Sequence, residues 1–286
     1  MKNKQFFLSL LLLAVGLMDV NARSFGDAIK RNEIKYEVVA IPGPRRMLLK
    51  IKNLLSRQTR INVEAGRFFY NSPTVQPFVV SRPVAIELDP GEEREVALQA
   101  FCGNSSAKCP QENQKFNKTE MGPANLSAVL QIMDKNRIVG NNLYQHVIWF
   151  YSNKHQLASV YSYDVDLKNI QKVQQFICDK EGLKMPAYRI KYSPSSTGDE
   201  LEFSGRPDEV EGKLKLKLDN RSDLHVQVFD AQGKQVELLE VHLDQPAGIV
   251  ELPVIVRVVD YALGDYTVAV SDESGKVLCS MPVKVS

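Results

Sequence analysis

The chain has 286 residues, with 36 Lys and Arg against 34 Asp and Glu. Without residues 1–22, which hold Lys2, Lys4 and Asp19, the remaining 264 carry 34 basic and 33 acidic side chains. A balance this even offers no long-range attraction to nucleic acid or to an anionic membrane surface, so neither is an expected partner. Hydrophobic residues make up 44% of the chain, enough to fill a core in each of two domains.

Residues 1–22 open on Lys2 and Lys4, run apolar from Phe6 to Met18 and close on Val20-Asn21-Ala22. A basic start, a short apolar run and small residues at the end describe a cleavable secretory signal, with the mature chain beginning near Arg23. No second long apolar run follows. The signal lacks a cysteine at its end, and Pro282 to Ser286 is not a hydrophobic tail, so no membrane span or anchor is expected after cleavage.

Residues 35–102 read as strands at Tyr36 to Ile41, Met47 to Asn53, Ile61 to Tyr70, Phe78 to Leu88 and Glu93 to Phe101. Pro42-Gly43-Pro44, Gly66, Asn71-Ser72-Pro73 and Asp89-Pro90-Gly91 punctuate them, as in an antiparallel sandwich. The period then changes. Leu126, Val129, Leu130 and Met133 recur at helical spacing in Ala124 to Met133, and Leu143 to Tyr151 reads as a second helix. A third is framed by Asp166 as N-cap and Gly182 as C-cap, with Ile170, Val173, Phe176 and Ile177 as its stripe. Ala187 to Tyr192 is expected to return a strand to the N-terminal sheet.

The polar run 193–199 reads as a linker. Beyond it, Lys213-Leu214-Lys215-Leu216-Lys217-Leu218 alternates without error, so the leucines should face a core and the lysines water. Such a lysine row could bind an acidic partner, but a solvated face that also discourages edge pairing is the simpler account. Further strands are expected at Leu224 to Asp230, Val236 to Leu243, Gly248 to Val258, Gly264 to Ser271 and Lys276 to Val285.

The cysteines are Cys102, Cys109, Cys178 and Cys279. Cys102 and Cys109 flank a loop rich in turn residues and are the candidate disulfide in an oxidising compartment. Cys178 and Cys279 read as small buried apolar residues. His146, His155, His225 and His242 have no metal-ligand spacing, and Asp164 and Asp166 beside a helix start are better caps than an acid–base pair. No nucleophile elbow, phosphate loop or dinucleotide motif occurs, so no catalytic, metal or cofactor site is expected. Asn104, Asn117, Asn125 and Asn220 begin glycan-acceptor triplets, which matter only in a eukaryotic secretory path.

Cys102 followed by Tyr144-Gln145-His146-Val147-Ile148-Trp149 has two readings. The apolar residues can simply anchor a helix, with Gln145 bonded to backbone. The pattern also resembles the thioester domains of bacterial surface adhesins, which implies that Cys102 supplies sulfur and Gln145 the acyl group of a bond able to trap an amine. The family prefers Gln-x-Ala before Ile-Trp, where this chain has His146 and Val147.

Val226 to Asp230, Gly233-Lys234, Ala247-Gly248, Leu263-Gly264, Tyr266 and Val283 to Val285 resemble a C-terminal sorting domain of the type IX secretion system or the related FlgD-like immunoglobulin fold. That resemblance implies a seven-stranded sandwich in exported cargo, although Ser204-Gly205-Arg206-Pro207 replaces the usual entry motif.

The expected architecture is therefore mainly β. It comprises a signal peptide at 1–22, a β-sandwich with a helical insertion at 34–192, a linker at 193–199 and an immunoglobulin-like sandwich at 200–286. The expected function is that of an exported, non-enzymatic bacterial binding or structural protein of the cell surface or periplasm, directed at a protein or glycan ligand. The alternatives are a covalent thioester adhesin and a periplasmic assembly accessory.

Overall fold

The structure, a computed structural model, describes residues 22–43, 46–194 and 203–286. The signal segment at 1–21 and most of the expected linker lie outside these residues. The fold is mainly β, with two sandwiches and a helical insertion in the first.

The N-terminal domain begins with β1 (Arg23–Ser24) and α1 (Phe25–Lys30), followed by β2 (Ile34–Ala40), β3 (Met47–Asn53), β4 (Thr59–Val63) and β5 (Arg67–Tyr70). Then come β6 (Phe78–Val80), β7 (Val84–Leu88), β8 (Glu93–Leu98), β9 (Ala100–Cys102), β10 (Lys115–Phe116) and β11 (Lys118–Met121). They form three sheets with strand orders β1-β4-β7, β10-β2-β3-β8 and β11-β5-β6-β9.

Three expected single strands are each broken in two. Ile61 to Tyr70 divides into β4 and β5, Phe78 to Leu88 into β6 and β7, and Glu93 to Phe101 into β8 and β9, with the halves in different sheets. Gly66, at φ 83°, turns the first; its missing Cβ would stand 2.5 Å from Ser127 Oγ. Pro83 interrupts the second, since it has no N–H for a ladder.

In sheet β11-β5-β6-β9 the strands β5, β6 and β9 are buried on both faces, while the edge strand β11 is mostly exposed. Phe69, Phe78, Val80, Ala100 and Cys102 face a core shared with α1 and the other sheets. Their neighbours Phe68, Val79 and Phe101 face a second core made with the helices. This explains the continuous apolar runs, because every residue of a doubly covered strand has a core to fill.

The helices are α2 (Ala124–Lys135), α3 (Asn141–Asn153) and α4 (Leu167–Glu181), with a short 3-10 turn at Leu157–Ser159. The stripe Leu126, Val129, Leu130 and Met133 is fully buried, each side chain contributing about 1.5–3 kcal/mol. Asp166 caps α4 by accepting from Lys168 N at 2.8 Å, and Gly182 ends it in the left-handed region. Cys178 is buried in this second core, as its helical position implied.

The C-terminal sandwich consists of β12 (Tyr188–Pro194), β13 (Phe203–Leu218), β14 (Ser222–Asp230), β15 (Gln235–Gln245), β16 (Gly248–Arg257), β17 (Gly264–Asp272) and β18 (Val277–Val285). Its sheets have orders β12-β13-β16 and β15-β14-β17-β18. One expectation is corrected here. Tyr188–Pro194 pairs antiparallel with β13, from Tyr188↔Gly212 to Pro194↔Phe203, and does not rejoin the N-terminal sheet. The expected linker therefore joins two strands of one hairpin, and the change of domain precedes Tyr188.

In β13, Leu214, Leu216 and Leu218 are buried while Lys213, Lys215 and Lys217 stand in solvent. Glu251 on β16 takes both Lys213 and Lys215, at 3.1 and 2.9 Å, so part of the lysine row is neutralised within its own sheet.

Candidate functional site

The site forms where β9 runs into α3. Cys102 ends β9, opposite Phe78 of β6. Gln145 lies one turn into α3, and the packing of Tyr144, Val147 and Ile148 into the second core fixes the face it presents. Its amide clamps the Cys102 backbone twice. Nε2 donates to Cys102 O at 2.6 Å, and Cys102 N donates to Oε1 at 3.2 Å. The structure thus brings together two residues 43 apart in sequence, through the backbone of one and the side chain of the other.

The Cys102 and Cys109 sulfurs are also brought together. They lie 3.8 Å apart, beyond an S–S bond, so the expected disulfide is not formed in this structure. Contact with the Cys109 thiol, and then burial, raise the Cys102 thiol well above its ordinary range, while Arg46 pulls the other way. A thiol so held is a poor nucleophile until its proton is removed.

The loop between the cysteines is fastened on both sides. Ser105 N donates to Asn153 Oδ1 at 3.1 Å, Asn153 Nδ2 donates to Asn104 Oδ1 at 3.1 Å, and Ser105 Oγ meets His155 Nε2 at 3.0 Å. On the opposite side Gly103 N donates to Pro77 O at 2.7 Å, and Gln76 Nε2 to Ala107 O at 2.7 Å.

A recess of about 120 Å³ opens beside this junction, lined by Arg46, Phe101, Cys102, Asn141, Asn142, Gln145, His146 and Trp149. Burial pushes His146 down to about 4, and its Nδ1 has no hydrogen-bond partner among the described residues. His155 is also held to about 4, by burial and then by the nearby His146, and it stacks on Tyr192 with ring centres 4.3 Å apart. Both imidazoles are therefore neutral near neutrality. His155 also touches the C-terminal sandwich through Tyr192, beside Gln156, whose Nε2 donates to Lys284 O at 2.8 Å.

Of the residues singled out in the sequence, Cys102, Cys109, Gln145 and His146 converge. Asp166 is a cap, and Asp164 accepts from Ser162. His225 lies on β14, far along the chain, and His242 pairs with Glu240 at 2.8 Å. Arg46, Ser105, Asn153 and His155 also belong to the junction. Nothing in their spacing marked them, because only the packing of α3 against β9 makes them neighbours.

Among the described residues no three metal-ligating side chains cluster, and no helix is long and apolar enough to cross a membrane. No protein-family model matches this chain, and no curated protein matches it.

Proposed function

We propose that this chain is an exported, non-enzymatic binding or structural protein of the bacterial surface or periplasm. Export rests on the signal-like residues 1–22, and the non-reacting role rests on the double hydrogen bond from Gln145 to the Cys102 backbone, which occupies the intact amide. It commits the side chain with the strongest chemical resemblance to holding α3 on the sheet. Burial and hydrogen bonding likewise commit His155, Asn104 and Asn153 to shaping a loop. Such a junction presents a rigid surface rather than a reacting group.

Expressed with residues 1–22 in a Gram-negative host, the protein should be recovered outside the inner membrane and begin at Arg23. Retention in the cytoplasm with those residues intact would sink the proposal. If the C-terminal sandwich carries a second address, removal of residues 187–286 should leave the remainder in the periplasm. The cut belongs at 187 because β12 is part of that sandwich.

One observation favours a second reading, that of a covalent adhesin. The clamp that holds Cys102 also places the Gln145 amide against the residue whose sulfur would attack it. In that chemistry the Cys102 sulfur bonds to Gln145 Cδ, the C–N bond breaks, and ammonia leaves with the thiol proton. A primary amine then forms an amide at Cδ and returns the thiol. Cys102 cannot serve this bond and a disulfide to Cys109 at once. Incubation with methylamine separates the readings: incorporation at Gln145 supports the thioester, and an unmodified Gln145 removes it.

A further inference from the structure

Strand β15 is inside-out except at Leu239, which packs against the core. On a sheet that covers a core, apolar side chains normally point inward and charged ones outward. The pairing of β15 with β14 fixes its faces. Glu237, Glu240 and His242 stand opposite Val228, Val226 and Leu224, which are all buried, so these three polar residues share the core-facing side. Leu238 and Val241 stand opposite Gln227 and His225 on the outer side. An irregularity between the Val226 and Gln227 pairs makes this possible, because the extra residue Leu239 keeps Leu238 and Val241 on one face despite their odd spacing. Val236, Leu238, Val241 and Leu243 are 45, 49, 46 and 67% exposed.

Strand β15 is also the edge of its sheet; it contains neither lysine nor proline, and the blocks to edge pairing that it does carry are its inward carboxylates Glu237 and Glu240 and its irregular register. The same outer face carries an open cleft of about 680 Å³ over Phe229, Thr267, Ala269 and Pro282.

We propose that β15 is the contact through which two copies of this chain associate, pairing antiparallel with β15 of the second copy about a two-fold axis at Glu240. The occupant follows from the order of residues along the strand. With Leu239 counted as the extra residue, an axis at Glu240 sets Leu238 against Val241 of the other copy on the outer face. It sets Glu237 against His242 on the inner face, where carboxylate and imidazole can hydrogen-bond. The strand is therefore complementary to its own reverse, as a two-fold contact requires. The two four-stranded sheets become one of eight, and the exposed apolar rows of both copies meet across the axis. The one unfavourable pair is Glu240 with itself, at the axis.

Sedimentation equilibrium on the mature chain tests this. A dimer is expected, and the double variant L238K/V241K should weaken it about a hundredfold, because like charges then face each other at both Leu238–Val241 pairs. Glu240→Gln should instead tighten the dimer by removing the like-charge contact. A monomer at every concentration overturns the proposal, as does a dimer that L238K/V241K leaves unchanged. Circular dichroism of each variant separates loss of association from loss of fold, since both substituted positions are solvent-exposed edge positions.

Discussion

In the N-terminal domain strands β5, β6 and β9 of one sheet are covered on both faces, whereas in the C-terminal sandwich each sheet has one face on the core and one in water. A doubly covered sheet has no solvated side on which to place polar groups. The N-terminal domain accordingly buries them with partners: Arg67 with Glu64 at 2.7 Å, Gln145 on Cys102, and His155 on Ser105. Sheets with a solvated face keep their ion pairs outside, as in Lys213 and Lys215 on Glu251 and, in the N-terminal domain, Lys50 on Glu95. The comparison teaches that polar residues which look functional in a sequence can be what two-sided burial requires.

The strongest way to break this contrast is to remove a buried partner. Glu64→Ala leaves the Arg67 guanidinium, whose side chain is 5% exposed, without its carboxylate, and should cost about 3–5 kcal/mol in urea unfolding. A loss below about 1 kcal/mol would mean that Arg67 is hydrated and the two domains are alike in this respect. Next comes the second core. Leu130→Ala empties a fully buried position between α2 and the sheet and should cost about 2–5 kcal/mol, seen as a lowered unfolding midpoint.

An effect of comparable size distinguishes the domains by pH. His146 and His155, both in the N-terminal domain, are held to about 4 by burial, against about 6.5 in an unfolded chain. Between these values the unfolded state binds more protons. Stability is therefore full above about pH 6.5 and falls as the pH drops toward 4, by about 1.4 kcal/mol per pH unit for each histidine. Unfolding measured at pH 7 and pH 5 should show the fall, and His146→Leu should shrink it. An equal fall in the variant would remove His146 from the account. The smallest effect is expected outside: Lys213→Ala should change stability by less than about 0.5 kcal/mol, since Lys213 is one exposed member of a shared pair.

Where one local rule decides, the sequence was legible. Asp166 and Gly182 mark the ends of α4 because capping is a local matter, and the lysine and leucine alternation of β13 is visible because one face of that strand meets water. The breaks at Gly66 and Pro83 were harder to place, because a turn residue inside an apolar run does not reveal that the chain is changing sheets. Helix α1 and the short strands β10 and β11 were missed altogether; none is longer than six residues, too short to show a period. The allegiance of β12 depended on a partner that follows it in the chain, which no periodicity contains. At the site, Cys102 and Gln145 were paired only through a resemblance. Arg46 and Asn153 were invisible, and His155 was named only as a lone histidine, because the α3 to β9 packing alone gathers them. The inverted faces of β15 were hidden by its irregular register, since an extra residue defeats simple counting of alternation.

The account rests on Gln145 acting as a fastener through an intact amide. Mass spectrometry of the undigested mature protein, purified without reducing agent, tests that directly. The predicted mass is that of the chain from Arg23 with every amide present, either with free thiols or lower by the two hydrogens of a Cys102–Cys109 disulfide. A mass lower by one ammonia, restored by methylamine at Gln145, would contradict it.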